Sequence, residues 1–272
     1  MKKRIWLTVV LLMAGISALP YARADATHEE AFFTANQAYQ EGHYAEAING
    51  YLGVIQSGHA GGSVYYNLGN AYFKSHQLGR AIRAYERALL FAPRDPDLNF
   101  NLSHARDQTR DAIGESRGTL KTIFFWVSSF SFNELFGCFA VLNFMFWAIL
   151  ILRLFKRSEW LYYLFLIIIS LWMLSGISFG LKYCWVSSDE RAIVLEKEVT
   201  VLAGPDTADT TLFKLHEGTV VHLERSEDGW SLIHLSDNKR GWVPETAVGR
   251  ISLNSNGPVR GEKGFPRPLS DT

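Results

Sequence analysis

Three histidines are the residues of this chain whose type could support metal chemistry. His216, His222 and His234 could supply imidazole nitrogens to a zinc ion, which usually takes four ligands. No cysteine or carboxylate lies among them at ligand spacing, so we expect exposed strand histidines and neither a metal nor a cofactor. His28 is followed by two glutamates but lacks the second histidine of the zinc-protease motif, and no serine nucleophile elbow stands out. The sequence therefore predicts a protein that is not an enzyme.

The charge balance excludes a second class of function. The 272 residues carry 27 basic and 27 acidic side chains, so the formal net charge is zero. General nucleic-acid binding needs a basic face, and we expect no nucleic-acid partner. The two cysteines, Cys138 and Cys184, lie in or beside apolar runs and are interpreted as small packing residues. A disulfide between them is the alternative.

A second set of candidate residues lies in a stretch that repeats with a period of 34 residues. Each unit has room for two helices and a turn, and Gly69 is small where the two helices of a unit should cross closely. This pattern resembles the tetratricopeptide repeat, so we expect an α-helical repeat domain over 27–112 whose third unit supplies only a first helix. The identical residues that recur at this spacing are Ala47 and Ala81, Ile48 and Ile82, Tyr51 and Tyr85, Asn67 and Asn101, and Leu68 and Leu102.

The resemblance implies a groove lined by the first helix of each unit, which binds an extended peptide or a helix. Asn36 and Asn70 would each offer a donor and an acceptor to a ligand backbone. Phe32, Tyr66 and Phe100 would form an aromatic row, with packing of Phe32 and Phe100 on neighbouring helices or a membrane as the alternative. Few basic residues lie on this face, which disfavours capture of a C-terminal carboxylate. The predicted partner-binding residues are Phe32, Asn36, Tyr39, Tyr66, Asn70, Phe73, Lys74, Phe100 and His104.

The start of the chain has the layout of a secretory signal peptide. Lys2, Lys3 and Arg4 precede an apolar stretch, and small residues follow it. We therefore expect a signal peptide over 1–26, with an uncleaved N-terminal anchor as the alternative. In either case the segment from residue 27 onward begins on the far side of the cytoplasmic membrane.

Two further apolar runs predict a transmembrane hairpin. Their cores carry no charged residue, and we expect transmembrane helices over 132–154 and 160–183. The connection over 155–159 holds Lys156 and Arg157 and is expected to be cytoplasmic, because short basic loops stay on that side. A transporter would usually need ionisable groups inside the spans, so the hairpin is interpreted as an anchor in the lipid bilayer.

The segment before the hairpin contains a helix-start signal. Ser131 and Glu134 have the spacing of a capping box, so the first span should begin near Phe132. Apolar residues at helical spacing over 119–131 predict either an interfacial helix on the membrane or a linker helix packed on the repeats.

The last part of the chain changes to a period of two. Five or six short strands separated by turn signals predict a small barrel over 189–251. The residues Gly204-Pro205, Gly229-Trp230 and Gly241-Trp242-Val243 resemble a bacterial SH3-type domain. The stretch 199–203 lacks the asparagine-valine-arginine sequence of wall-binding members. The tail over 252–272 is rich in Gly, Pro, Ser and charge and is expected to be disordered.

The complete fold class expected is a multidomain membrane protein: an α-helical tetratricopeptide array, a two-helix transmembrane hairpin and a small all-β SH3-type barrel. This order of modules resembles the BatE-type proteins of bacterial aerotolerance operons. The resemblance implies an inner-membrane location, soluble domains on the periplasmic side, and von Willebrand A-domain membrane proteins as partners. It favours an interaction scaffold, with an envelope sensor that binds wall or peptide ligands through the SH3-type domain as the alternative.

Overall fold

Three groups of elements follow one another in the computed structural model, which describes residues 26–111, 123–156 and 158–253. The predicted signal peptide and the predicted disordered tail lie almost entirely outside the described residues. The first group consists of α1 (Ala26–Gln40), α2 (Tyr44–Gln56), α3 (Gly62–Lys74), α4 (Leu78–Phe91) and α5 (Pro96–Arg106). The second consists of α6 (Phe125–Ser129), α7 (Phe132–Phe155) and α8 (Glu159–Ser187).

The five N-terminal helices pack as antiparallel pairs around side chains that recur with the sequence period. Tyr51 and Tyr85 are almost fully buried at equivalent positions of successive units. A Cβ added to Gly69 would lie 2.5 Å from the ring of Tyr85, so only glycine permits this close crossing of α3 and α4. Asp95 caps α5 by accepting hydrogen bonds from two backbone amides of its first turn.

The helices α7 and α8 form an apolar hairpin, each long and apolar enough to cross a membrane. The predicted capping box of Ser131 and Glu134 is present at the start of α7. Rings at heptad spacing interlock along the hairpin, with neighbouring centroids 5.0 to 6.1 Å apart. The interlocking residues are Phe132, Phe139 and Phe146 on α7, and Phe165, Trp172 and Phe179 on α8.

This ring register separates the two cysteines. Phe139 packs between Trp172 and Phe179, so Cys138 lies beside the middle of α8 and Cys184 near its end. The offset along the helix axis is about 11 Å, beyond the Cα separation that a disulfide allows. Both thiols are free and exposed, so the disulfide alternative is wrong.

The short helix α6 packs on the hairpin. The indole Nε1 of Trp126 donates to the hydroxyl of Ser178 at 3.2 Å, and Nζ of Lys182 donates to the carbonyl oxygen of Val127 at 3.3 Å. Ser178 and Lys182 both belong to α8. The described part of the 119–131 segment is therefore tied to α8.

The C-terminal group is an antiparallel sheet in the order β3-β2-β6-β5-β4-β1-β7. Its described strands do not close: β3 and β7 are the two edges, so the predicted SH3-type barrel is not confirmed. The edge of β7 is covered by α4 instead, where Nε of Arg83 donates to the carbonyl oxygen of Arg250 at 3.0 Å. The strands are β1 (Arg191–Val194), β2 (Glu198–Leu202), β3 (Thr211–His216), β4 (Val220–Glu227), β5 (Trp230–His234), β6 (Arg240–Pro244) and β7 (Val248–Arg250).

The repeats and the sheet share one apolar core. Ile193 and Ile251 of the sheet module are fully buried among the side chains of the repeat helices. At the start of α4, the amide of Gly79 donates to Oε1 of Glu217 at 2.9 Å. A Cβ on Gly79 would collide with the carbonyl oxygen of Val194, so the two modules meet backbone against backbone.

This contact predicts the effect of one added methyl group. Gly79→Ala should lower the free energy of unfolding by about 1–3 kcal/mol, because the backbone of β1 cannot move aside without opening the shared core. Gly53→Ala is the matched control, since its Cβ would meet nothing within 4 Å. It should raise helix stability by about 0.5–1 kcal/mol. Thermal unfolding of both variants in detergent measures the difference, and equal effects would contradict the docking.

Candidate functional site

The candidate site is the face formed by the first helices of the repeat units, α1, α3 and α5. We call it the groove face and define it by the predicted partner-binding residues. The structure places all of them on these three helices. Phe32, Asn36 and Tyr39 lie on α1; Tyr66, Asn70, Phe73 and Lys74 lie on α3; and Phe100 and His104 lie on α5.

Two equivalent hydrogen-bonded clusters lie beneath this face. Oδ1 of Asn36 accepts from the hydroxyl of Tyr51 at 2.7 Å and from Nδ2 of Asn67 at 2.9 Å. Each cluster joins three successive helices, the first α1, α2 and α3, the second α3, α4 and α5. In the second, Oδ1 of Asn70 accepts from the hydroxyl of Tyr85 at 2.7 Å and from Nδ2 of Asn101 at 3.0 Å. The 34-residue spacing was visible in the sequence, but it did not reveal that these residues bond to one another.

These clusters change what the two asparagines can offer a ligand. Both lone pairs of each Oδ1 are used inside the fold, so the prediction that Asn36 and Asn70 offer an acceptor is wrong. Their Nδ2 groups bond to no described residue, and both side chains are half-buried. The groove face therefore presents amide donors, which suit carbonyl or carboxylate oxygens.

Burial keeps the tyrosines of the clusters in their donor form. Burial, followed by the neighbouring Tyr39, raises the pKa of Tyr51 to about 12. Burial likewise raises the pKa of Tyr85, with a smaller contribution from Tyr66. Both phenols are thus protonated donors throughout the neutral range.

The aromatic row is uneven. Phe32 is half-buried, and its ring centroid lies 6.0 Å from that of Tyr51. It therefore packs against a neighbouring helix, which was the alternative to a groove role. Tyr66 also packs inward, 6.2 Å from the ring of Tyr85. Phe100 is 70% exposed and stacks on His104 at 6.3 Å with the ring planes almost parallel. Only the α5 end of the row presents a projecting aromatic side chain.

The remaining predicted residues divide between the two ends of the groove face. Tyr39 packs on Tyr44 at 5.6 Å, at the α1 end. Phe73 contacts His104 at 5.6 Å, and Lys74 is exposed beside it. The α5 end therefore brings Phe73, Phe100 and His104 together, with Lys74 at its border.

The three histidines considered as metal ligands are not brought together. His222 and His234 stack on adjacent strands at 4.9 Å, whereas His216 bonds through Nδ1 to Asp111 at 3.0 Å. Within the described residues, no group of three or more His, Cys, Asp or Glu side chains is arranged to hold a metal ion. The histidines serve local packing and one inter-module contact.

The sheet module holds α5 in place. Asp111 follows α5 and accepts from the backbone amide of His216 at 2.8 Å and from the hydroxyl of Thr219 at 2.6 Å. Arg106 on α5 pairs with Glu86 on α4, which is only 4% exposed and also contacts Arg191 of β1 at 3.4 Å. The sheet module therefore braces α5, the first helix of the third unit.

Residues 63–95 match the family model of the tetratricopeptide repeat. This segment comprises α3, α4 and the turn into α5, which includes Asn70, Phe73 and Lys74 of the groove face. No curated protein matches this chain. Repeats of this kind are typically non-catalytic and commonly bind peptides or proteins, so the match indicates a role in protein–protein interaction.

The asparagine–tyrosine clusters predict a small, local stability loss. Tyr85→Phe and Tyr51→Phe should each lower the free energy of unfolding by about 0.5–1.5 kcal/mol, because one buried donor disappears from a cluster. Tyr44→Phe is the control, since the Tyr44 hydroxyl makes no hydrogen bond to a described residue, and it should change stability by less than about 0.5 kcal/mol. Thermal unfolding of the three variants checks the ranking.

The Asp111 contact predicts an acid dependence of the brace. Burial alone would raise the pKa of Asp111, but hydrogen bonds from Thr219 and His216 outweigh burial and hold the pKa below its usual value. A carboxylate with a lowered pKa stabilises the fold above its unfolded pKa, near 4, and loses that contribution as the pH falls through the folded value.

Asp111→Asn should therefore unfold at a lower temperature than the unchanged protein at pH 7, and the gap should narrow as the pH falls below about 4. Asp107→Asn is the control, because Asp107 is exposed and makes no side-chain hydrogen bond to a described residue. A gap for Asp111→Asn that stays constant down to pH 3 would argue against the brace. The measurement is the unfolding midpoint of each variant across this pH series.

Proposed function

We propose that this chain is a membrane-anchored interaction scaffold whose groove face binds an extended peptide or a helix of a partner protein. The observation that carries the proposal is the pair of amide donors on Asn36 and Asn70. They recur at the repeat interval, and no described residue accepts from them. Amide donors of this kind suit the carbonyl oxygens of a ligand backbone.

The hairpin supports the anchoring role. Only 11% of the most apolar window of α7 and of α8 is buried within the protein, so most of their apolar side chains require another apolar environment. Arg153 and Lys156 lie at the end of the hairpin remote from the repeats. The positive-inside rule assigns that end to the cytoplasm, and the repeats and sheet then lie on the periplasmic side of the bacterial inner membrane.

The order of modules supports a Bat-type complex as the setting. Repeats, a two-span anchor and a small β module, which we interpret as SH3-type, occur in the same order in BatE-type proteins. The partners would then be membrane proteins, with von Willebrand A-domain Bat proteins as the first candidates. Such a complex would act in aerotolerance, stress tolerance or envelope-protein assembly.

The alternative is an envelope sensor that binds cell-wall or peptide ligands through the sheet module. It has weaker support, because part of the surface of the sheet module is already buried against the repeats. The turn at Gly218 contacts Ile82 and Thr109, and the β7 edge bonds to Arg83. The sheet module therefore has a structural role in holding the repeats, which leaves less of its surface for a ligand.

Asn36→Asp together with Asn70→Asp separates the ligand role from the structural role. Aspartate keeps an oxygen that accepts from the tyrosine and asparagine donors beneath, but it lacks the Nδ2 donor that faces the ligand. We expect the double variant to fold and to reach the membrane, while co-purification of membrane partners falls at least tenfold. Quantitative mass spectrometry of the co-purified proteins provides the measurement.

Asn49→Asp is the matched control, because Asn49 is exposed on the second helix of its unit. It should leave the partner yield unchanged. Unchanged partners in the Asn36 and Asn70 double variant would reject the groove face as the working surface. Pelleting of the unchanged protein with purified peptidoglycan, abolished by substitutions in the sheet module, would favour the sensor instead.

A further inference from the structure

The repeat array is joined to one end of the apolar hairpin. Arg94, in the turn between α4 and α5, forms an ion pair with Glu134 in the first turn of α7. The same guanidinium lies 4.7 Å from the ring centroid of Phe130. A cavity of about 280 Å³ beside this pair is lined by Leu90 and Phe91 of α4, residues 131–133, residues of the last turns of α8, and Leu253. The α4–α5 turn therefore rests on the end of the hairpin.

This contact fixes the direction of the groove-lining helices. α5 starts at Pro96, two residues after Arg94, so its N-terminal end lies at the hairpin. Successive helices of the array are antiparallel, and α1 and α3 therefore point the same way as α5. At 1.5 Å per residue, Phe100 lies about 6 Å and His104 about 12 Å along α5 from that end.

The height of the groove above the bilayer follows if the hairpin spans the membrane. The exposed aromatic side chains of α5, Phe100 and His104, then lie within about 15 Å of the membrane surface. A chain that leaves a membrane span covers this distance in about five extended residues. Two proteins held in one membrane also meet at a raised effective concentration.

We propose that the occupant of the groove is the juxtamembrane segment of a second integral membrane protein, bound within about ten residues of its span. This inference rests on the proposed function of the groove face. Juxtamembrane segments are rich in Trp and Tyr, which match the apolar surface of Phe73 and Phe100. Their backbone carbonyls match the Nδ2 donors of Asn36 and Asn70, while the groove face offers little charge for a strongly acidic or basic ligand.

The acidic start of α5 separates this surface from the lipid itself. Asp95 and Asp97 are exposed between the hairpin end and Phe100. Bringing these carboxylates into an apolar or anionic lipid surface is unfavourable, so Phe100 is not well placed to insert into the bilayer. A protein segment that approaches above the lipid headgroups meets no such penalty.

The experiment uses the full-length protein in cells, with the photo-crosslinking amino acid p-benzoylphenylalanine in place of Phe100. The matched control carries it in place of Phe33, which is 69% exposed on α1 but is not a groove residue. We expect position 100 to give at least fivefold more crosslinked product than position 33. Mass spectrometry should map the crosslink within about ten residues of a span of another membrane protein, and Asn70→Asp should remove it.

The other outcomes separate this inference from the proposed function. A crosslink that depends on Asn70 but maps to a soluble protein, or to a loop far from any span, overturns the inference and leaves the groove as a binding site. A crosslink to phospholipid, or to a second copy of this chain outside its juxtamembrane residues, also overturns it. No crosslink above the Phe33 control, or one unaffected by Asn70→Asp, overturns the inference and the proposed groove together.

Discussion

The docking of α4 on the sheet module is the interaction on which the rest of the structure depends. The outward face of α4 carries Arg83, Glu86 and Arg87, which are 8%, 4% and 8% exposed. Burying three charged groups is costly unless each finds partners. The arginines donate to backbone carbonyls at β7 and at Ile251, groups that an edge strand would otherwise leave unpaired. The same hydrogen bonds therefore satisfy the buried arginines of α4 and cover the edge of the sheet at β7.

This docking decides which surface of the repeats is available. The second helix of the second unit is covered by strands, and α5 is held from behind through Glu86 and Asp111. The groove face stays open because the array uses its opposite side for attachment. Its donors are fixed in turn by the tyrosine hydroxyls beneath, which consume the acceptor atoms of Asn36 and Asn70. The packing thus attaches one side of the array to the sheet module and directs the amide donors outward on the groove face.

The parts of this fold that the sequence predicts are those encoded by local spacing. Gly69 at the helix crossing, the capping box at Ser131 and the repeat over 63–95 all depend on residues close in the chain or one period apart. The docking of α4 could not be predicted from local spacing, because Glu86 and Arg191 are 105 residues apart and charged residues on a helix usually face solvent.

The candidate site shows the same division. Spacing placed the groove residues on the first helices, but the direction in which each ring points follows from packing. Phe32 and Phe100 occupy equivalent positions of their units, yet the ring of Phe32 packs on Tyr51, whereas Phe100 is exposed and stacks on His104. The SH3-type barrel is not confirmed, and the sheet stays open for a related reason, since strand alternation does not show that α4 will cover the β7 edge.

The docking also constrains how the hairpin crosses a membrane. Contacts such as that between Asp111 and Thr219 join residues before the hairpin to residues after it. Both ends of the hairpin must therefore lie on the same side of any membrane that it spans, which requires an even number of crossings. Two helices satisfy this condition, and the connection near Lys156 falls on the opposite side. This same-side condition follows from the contacts between the modules and does not depend on a signal peptide.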